Sequence, residues 1–145
     1  MPAARVDQAI EAIRASGSRV TVDRRAVVEA LDRSGDHLTA EQLAEAVWVR
    51  HPDINLATVY RTLELLERLE IAFHVHLGHG PSRWHLAGDV HHHLVCQNCN
   101  RVVEIPDSTF DPLRKRIFDD TGFVIDPHHF SLSGTCAACA AEADR

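Results

Sequence analysis

The sequence lacks several features that would each have pointed to a different class of protein. Nowhere in its 145 residues is there a run of the roughly 20 apolar residues that a membrane span needs, so no membrane partner is expected. Its opening stretch, MPAARVDQAIEAIRASG, mixes acidic and apolar positions instead of presenting the apolar core of a signal peptide, and the expected location is the cytoplasm. No cysteine is to spare. All four sit in two C-x-x-C pairs, Cys96/Cys99 and Cys136/Cys139, which leaves no thiol for nucleophilic catalysis. There is no H-E-x-x-H motif, no internal repeat and no low-complexity tract. Lysine is missing from residues 1–87, where 10 Arg face 12 carboxylates for a net charge of −2; residues 88–145 hold 5 basic and 9 acidic groups, net −4. The total of −6 does not exclude a nucleic-acid partner. Duplex binding responds to a local basic face, and Arg14, Arg19, Arg24 and Arg25 fall close together.

What is present has a clear order. A 45% hydrophobic content over this length suits one ordinary domain or two very small ones. Val6, Ala9, Ile10 and Ile13 recur at helical spacing, and Gly17 ends that segment. A second helix is expected after Thr21, with Val27, Val28 and Leu31 on its buried side. Thr39 followed by Gln42 is a capping-box pattern opening a third helix through Leu43, Ala46 and Val47. A fourth carries Leu56, Val59, Leu63, Leu66 and Leu69, with Thr58, Tyr60, Arg61 and Glu64 on its other face. The period then changes to two: Ile71, Phe73, Val75 and Leu77 share one strand face, His74 and His76 the other. Gly78-His79-Gly80-Pro81 turns the chain and Arg83-Trp84-His85-Leu86 returns. Helices followed by a hairpin suggest a winged helix-turn-helix. Beyond the joint at Ala87-Gly88-Asp89, strands are expected at 91–96, 101–105 and 128–134, with a helix between Asp107 and Thr121 and a frayed C-terminus. The fold class is α+β: a winged-helix domain over 1–86, then a small α/β domain over 87–145.

Two knuckles with two-residue spacers can each turn both thiolates toward one ion, so Cys96, Cys99, Cys136 and Cys139 are expected to form a closed, structural Zn²⁺ site. Eleven histidines are present, crowded into short segments. On a strand, His91 and His93 share one face while His92 and Cys96 share the other, which separates a second metal site from the zinc knuckles. Glu104, on the neighbouring strand, offers an oxygen ligand. His37 and His85 come from the first half of the chain.

These features together resemble the ferric uptake regulator superfamily of metal-responsive bacterial repressors. The likeness lies in Arg19-Val20-Thr21 with Arg24, in Asn55-Leu56-Ala57-Thr58-Val59-Tyr60-Arg61-Thr62-Leu63, in His91-His92-His93-Leu94-Val95-Cys96-Gln97-Asn98-Cys99, in Val102-Val103-Glu104 and in Gly134-Thr135-Cys136-Ala137-Ala138-Cys139, and runs from about residue 5 to 139. It implies a homodimer, not an enzyme, whose fourth helix enters the major groove of operator DNA. Tyr60 and Arg61, with Thr58, would face the bases and Arg19 the backbone or minor groove; Arg offers a bidentate fork for guanine and Tyr a ring for the thymine methyl. The family's hinge regulatory site falls on His37, His85, His91, His93 and Glu104. His85 departs from iron- and peroxide-sensing members, which place a carboxylate there. A third family site draws on the residue before the His-x-His pair, which is Val90 here. His74, His76 and His129 match the ligands of the nickel-responsive branch (Nur), with His79 and His128 nearby. The expected function is therefore a Ni²⁺-dependent transcriptional repressor of metal-homeostasis genes. The alternatives are an iron- or peroxide-responsive member with Fe²⁺ or Zn²⁺ at the hinge, a constitutive winged-helix DNA binder with structural zinc alone, and a zinc hydrolase built on His91 and His93 with Glu104 as base. The last is disfavoured because a hydrolytic zinc needs an open position, and surplus ligands fill it.

Overall fold

The computed structural model describes residues 2–35, 37–88, 90–128 and 132–143. The chain divides into two compact units, the first made of residues 1–74 and 81–87, the second of residues 75–80 and 88–145. Among the described residues no helix is long and apolar enough to cross a membrane.

The first unit holds α1 (Pro2–Ala15), α2 (Val22–Ser34), α3 (Ala40–Trp48) and α4 (Leu56–Arg68), then the strands β1 (Ala72–Val75) and β2 (Arg83–Leu86). Each of the last three helices starts where a side chain takes over an unpaired backbone N–H. Thr21 accepts from the N–H of Arg24 at 3.2 Å and Asn55 from that of Thr58 at 2.9 Å. Thr39 and Gln42 bond reciprocally at 3.1 and 3.0 Å, the capping box expected from their spacing. Gly17 and Gly122 follow helix ends with φ of 79° and 71°, a left-handed conformation that costs a glycine little. One apolar cluster unites all four helices. Ile13, Val27, Leu43, Val59 and Leu63 are fully buried at its centre. β1 and β2 pair as a hairpin, and Leu38 extends β2 through reciprocal backbone bonds with Trp84 of 3.1 and 2.7 Å. The result is a helical bundle with a short β wing.

The second unit holds β3 (His91–Cys96), β4 (Val102–Pro106), a 3₁₀ turn (Asp107–Phe110), α5 (Asp111–Thr121), β5 (Leu132–Gly134) and α6 (Ala137–Ala143). β3 is central: it pairs antiparallel with β4 and parallel with β5. The register sets His93 opposite Glu104 and Cys96 opposite Gly134. Of the strand expected at 128–134, residues 132–134 form β5 and 129–131 lie outside the described residues; α6 forms where a frayed tail was expected, its first residue following Cys136 directly. Ala-rich composition over 137–143 accounts for that helix.

Candidate metal centres and DNA-binding face

The zinc knuckles assemble from opposite ends of the second unit. Cys96 ends β3, and Asn100, left-handed at φ 59°, closes the first turn by donating its N–H to the Cys96 carbonyl at 2.9 Å. Cys136 lies between β5 and α6, and Cys139 one helical turn beyond it. The four sulfurs lie within 4.8 Å of one another, with Cys99 and Cys136 3.8 Å apart. A tetrahedral zinc with Zn–S bonds of about 2.3 Å requires sulfur separations of about 3.8 Å, so the cluster fits that ion. Backbone N–H groups prepare it. The N–H of Cys136 reaches the Cys96 sulfur at 3.3 Å and, with those of Cys99 and Asn98, brings its thiol down to about 6. The crowding sulfurs of Cys136 and Cys99 push Cys139 up to about 12. Backbone donors thus favour a thiolate at Cys96, and metal binding, which takes up thiolates, would release the protons of the other sulfurs.

A second, nitrogen-and-oxygen group lies on β3 and β4. The rings of His91 and His93 pack edge to face at 4.9 Å, and their Nε2 atoms stand 4.0 and 3.9 Å from the Glu104 carboxylate. Ligand atoms of all three fall within 4.8 Å of one another. His93 is buried, and burial, reinforced by the neighbouring His91 against the pull of Glu104, lowers its pKa below the ordinary 6.5. A neutral imidazole is the form that binds metal. In the first unit, His37 is buried and its ring stacks obliquely on His85 at 4.6 Å. Arg83 donates to the His37 carbonyl at 3.2 Å, anchoring that loop to the wing.

Of the histidines assigned to the nickel branch, His74 and His76 are among the described residues. His74 bonds to Glu67 and packs against Trp84 at 5.1 Å. His76 and His79 line a cavity of about 190 Å³ with Cys96, Asn100 and Leu132. His129 lies outside the described residues.

Between His91 and His93, His92 points the opposite way and is almost wholly buried. Its Nε2 meets Asp107 at 2.6 Å, its ring abuts Phe110 edge-on at 4.8 Å, and Arg114 forks onto Asp107 at 2.6 and 2.9 Å while also reaching Asp111. Arg114 above all, with His92 beside it, holds the Asp107 carboxyl below its ordinary 3.8. This brace was not anticipated from sequence. The only trace was the Asp107–Asp111–Arg114 spacing on one helix face.

On the first unit, Tyr60 and Arg61 are exposed on α4, and Thr58 is half-buried one turn back. Arg61 donates to the Thr58 hydroxyl at 3.0 Å and Tyr60 to Glu41 at 2.7 Å. Arg19 is exposed in the α1–α2 turn, its carbonyl accepting from Arg24.

The sequence pattern of the ferric uptake regulator family matches residues 15–133. A ferric uptake regulation protein of Bacillus subtilis is 37% identical over 140 residues, covering 93% of this chain and 94% of that protein. A peroxide operon regulator of the same organism is 28% identical and covers 97% of each chain. The crystal structure of the Vibrio cholerae ferric uptake regulator superposes with a TM-score of 0.70 at 30% identity, covering 87% of this chain and 98% of that one. With a helical bundle and wing, a four-cysteine cluster that fits zinc and a separate histidine–glutamate group, the chain belongs to the ferric uptake regulator family of metal-responsive transcription regulators, which are not enzymes.

Proposed function

We propose that the protein is a homodimeric repressor that binds operator DNA when a divalent ion occupies His37, His85, His91, His93 and Glu104, and that this ion is Fe²⁺. Residues 1–86 serve as the DNA-binding domain and 87–145 as the dimerisation and metal-binding domain. The observation that carries the reading is the convergence of His91, His93 and Glu104 on β3 and β4, separate from an all-sulfur cluster to which β3 contributes Cys96 alone. Thiolates select zinc for the structural role, whereas imidazole and carboxylate suit the borderline ions Fe²⁺, Ni²⁺ and Zn²⁺. Iron is favoured among them because the 37% identical relative is named for ferric uptake.

The residues of this chain would work by sharing ligands. His93 offers a neutral nitrogen and Glu104 a negative charge, while His37 and His85 supply nitrogens from the other unit. An ion held by both sets favours one interdomain angle. That angle sets the separation of the two α4 helices across the dimer, and only a matched separation reaches two half-sites on one DNA face. A coupling of about 2–3 kcal/mol corresponds to tens- to over a hundredfold tighter operator binding. On the duplex, Thr58, Tyr60 and Arg61 read bases and Arg19 holds the backbone or minor groove.

A nickel reading has one observation in its favour. Four of the five hinge donors are imidazoles, and the wing offers more in His74, His76 and His79. It requires His74, His76 and His129 to gather on Ni²⁺, with the Nδ1 of His74 held by Glu67 as metal-bound imidazoles commonly are by a carboxylate.

Fluorescence anisotropy decides between them. Protein that retains its zinc but is otherwise metal-free is titrated with a selected duplex in Fe²⁺ (anaerobic), Mn²⁺, Ni²⁺ and Zn²⁺. Tightening by Fe²⁺ that survives His74→Ala supports iron. Tightening by Ni²⁺ that His74→Ala removes replaces iron by nickel. Loss of the Fe²⁺ complex on adding peroxide identifies a peroxide sensor. Equal binding with and without any ion overturns metal regulation.

A further inference from the structure

Helices α3 and α4 are joined by one polar contact on the face that would meet the duplex. The Tyr60 hydroxyl donates to a Glu41 carboxylate oxygen at 2.7 Å, across nineteen positions of sequence. The bond marks both partners: the Tyr60 hydroxyl, above the other causes, lowers the Glu41 carboxyl below its ordinary 4.5, and the Glu41 carboxylate raises the Tyr60 phenol above 10. The backbone of Glu41 is held in the first turn of α3 by the Thr39–Gln42 box, and the helix dipole there favours a carboxylate. Tyr60 is 40% exposed, so burial alone does not fix its ring. A carboxylate beside a base-reading residue is repelled by phosphate. Its presence there calls for a compensating task, and orientation of the ring is the task the geometry offers. An aromatic ring held before the duplex arrives loses less freedom on binding.

We propose that Glu41 is a positioning residue for base readout: by accepting the Tyr60 hydroxyl it aims the ring at the 5-methyl group of a half-site thymine. The proposal rests on the DNA-binding reading above. It distinguishes Glu41 from a surface charge, and it assigns specificity to a residue on α3 that touches no base.

The test uses a duplex selected from a randomised pool by the wild-type, metal-loaded protein, and the same duplex with half-site thymines replaced by uracil, which removes only the methyl groups. Burial of one methyl corresponds to about fourfold in affinity, so the wild type should bind the uracil duplex about fourfold more weakly per contacted thymine. Glu41→Ala should abolish that penalty. Tyr60→Phe should do the same, and the double variant should be no worse than either single one, the non-additivity expected of directly coupled groups. Glu41→Gln keeps an acceptor oxygen and should retain the penalty, which a general effect of lost charge or fold would not allow. A methyl penalty intact in Glu41→Ala overturns the proposal while leaving DNA binding standing. Failure of the wild type to select any duplex removes the DNA-binding reading, and this proposal with it.

Discussion

Removing zinc should unfold the second unit and spare the first. Twenty buried apolar residues form the core of the first unit, from Val6 to Trp84. Among the described residues of the second unit only Val95, Cys96 and Phe110 are buried apolar side chains. So small a core does not order a unit of this size by itself, and the zinc and the dimer contacts must supply the rest. A structural zinc in small knuckle domains contributes about 10–16 kcal/mol, as much as the ~5–15 kcal/mol net stability of a whole domain. The residue distribution supplies two independent probes. Both tryptophans, Trp48 and Trp84, lie in the first unit, and all four cysteines lie in the second. Chelation, or Cys136→Ser, should therefore expose the remaining thiols to a thiol reagent and break the dimer, while tryptophan emission and the four-helix circular dichroism persist. Thiols that stay protected in zinc-free protein, or emission that shifts in the same transition, would refute the reasoning.

Three other outcomes follow from the geometry. His93→Ala should cut the ion-dependent gain in operator affinity by tens-fold or more while leaving about one zinc per chain, checked by metal analysis alongside anisotropy; an unchanged ion response would remove His93 from the regulatory site. Arg61→Ala should cost about 1–3 kcal/mol on the selected duplex and much less on a scrambled one, since a base contact and not a phosphate contact is lost. In protein holding only its structural zinc, His93 has a folded pKa below the unfolded 6.5, so the unfolded chain binds the extra proton first. Stability should be full above about pH 6.5 and decline as pH falls from there toward the lower folded value. A melting midpoint that rises on acidification through that window would contradict the sign.

Much of this protein is written in local spacing. The capping box at Thr39 and Gln42, the apolar stripes of α1 to α4, the glycine stops and the two C-x-x-C turns all depend on contacts three or four residues apart, which chain geometry sets directly. The alternation that puts His91 and His93 on one face and His92 on the other is equally local. Tertiary structure decided the rest. Only the β3–β4 register brings Glu104 opposite His93, and only the closure of β5 beside β3 brings Cys136 to within 3.8 Å of Cys99. The bond from His92 to Asp107 and the tie from Tyr60 to Glu41 join elements that no periodicity relates. Spacing determines which way a side chain leaves its own helix or strand. What it meets there depends on how separate elements slide until their apolar faces are buried, and that choice belongs to the packed chain as a whole.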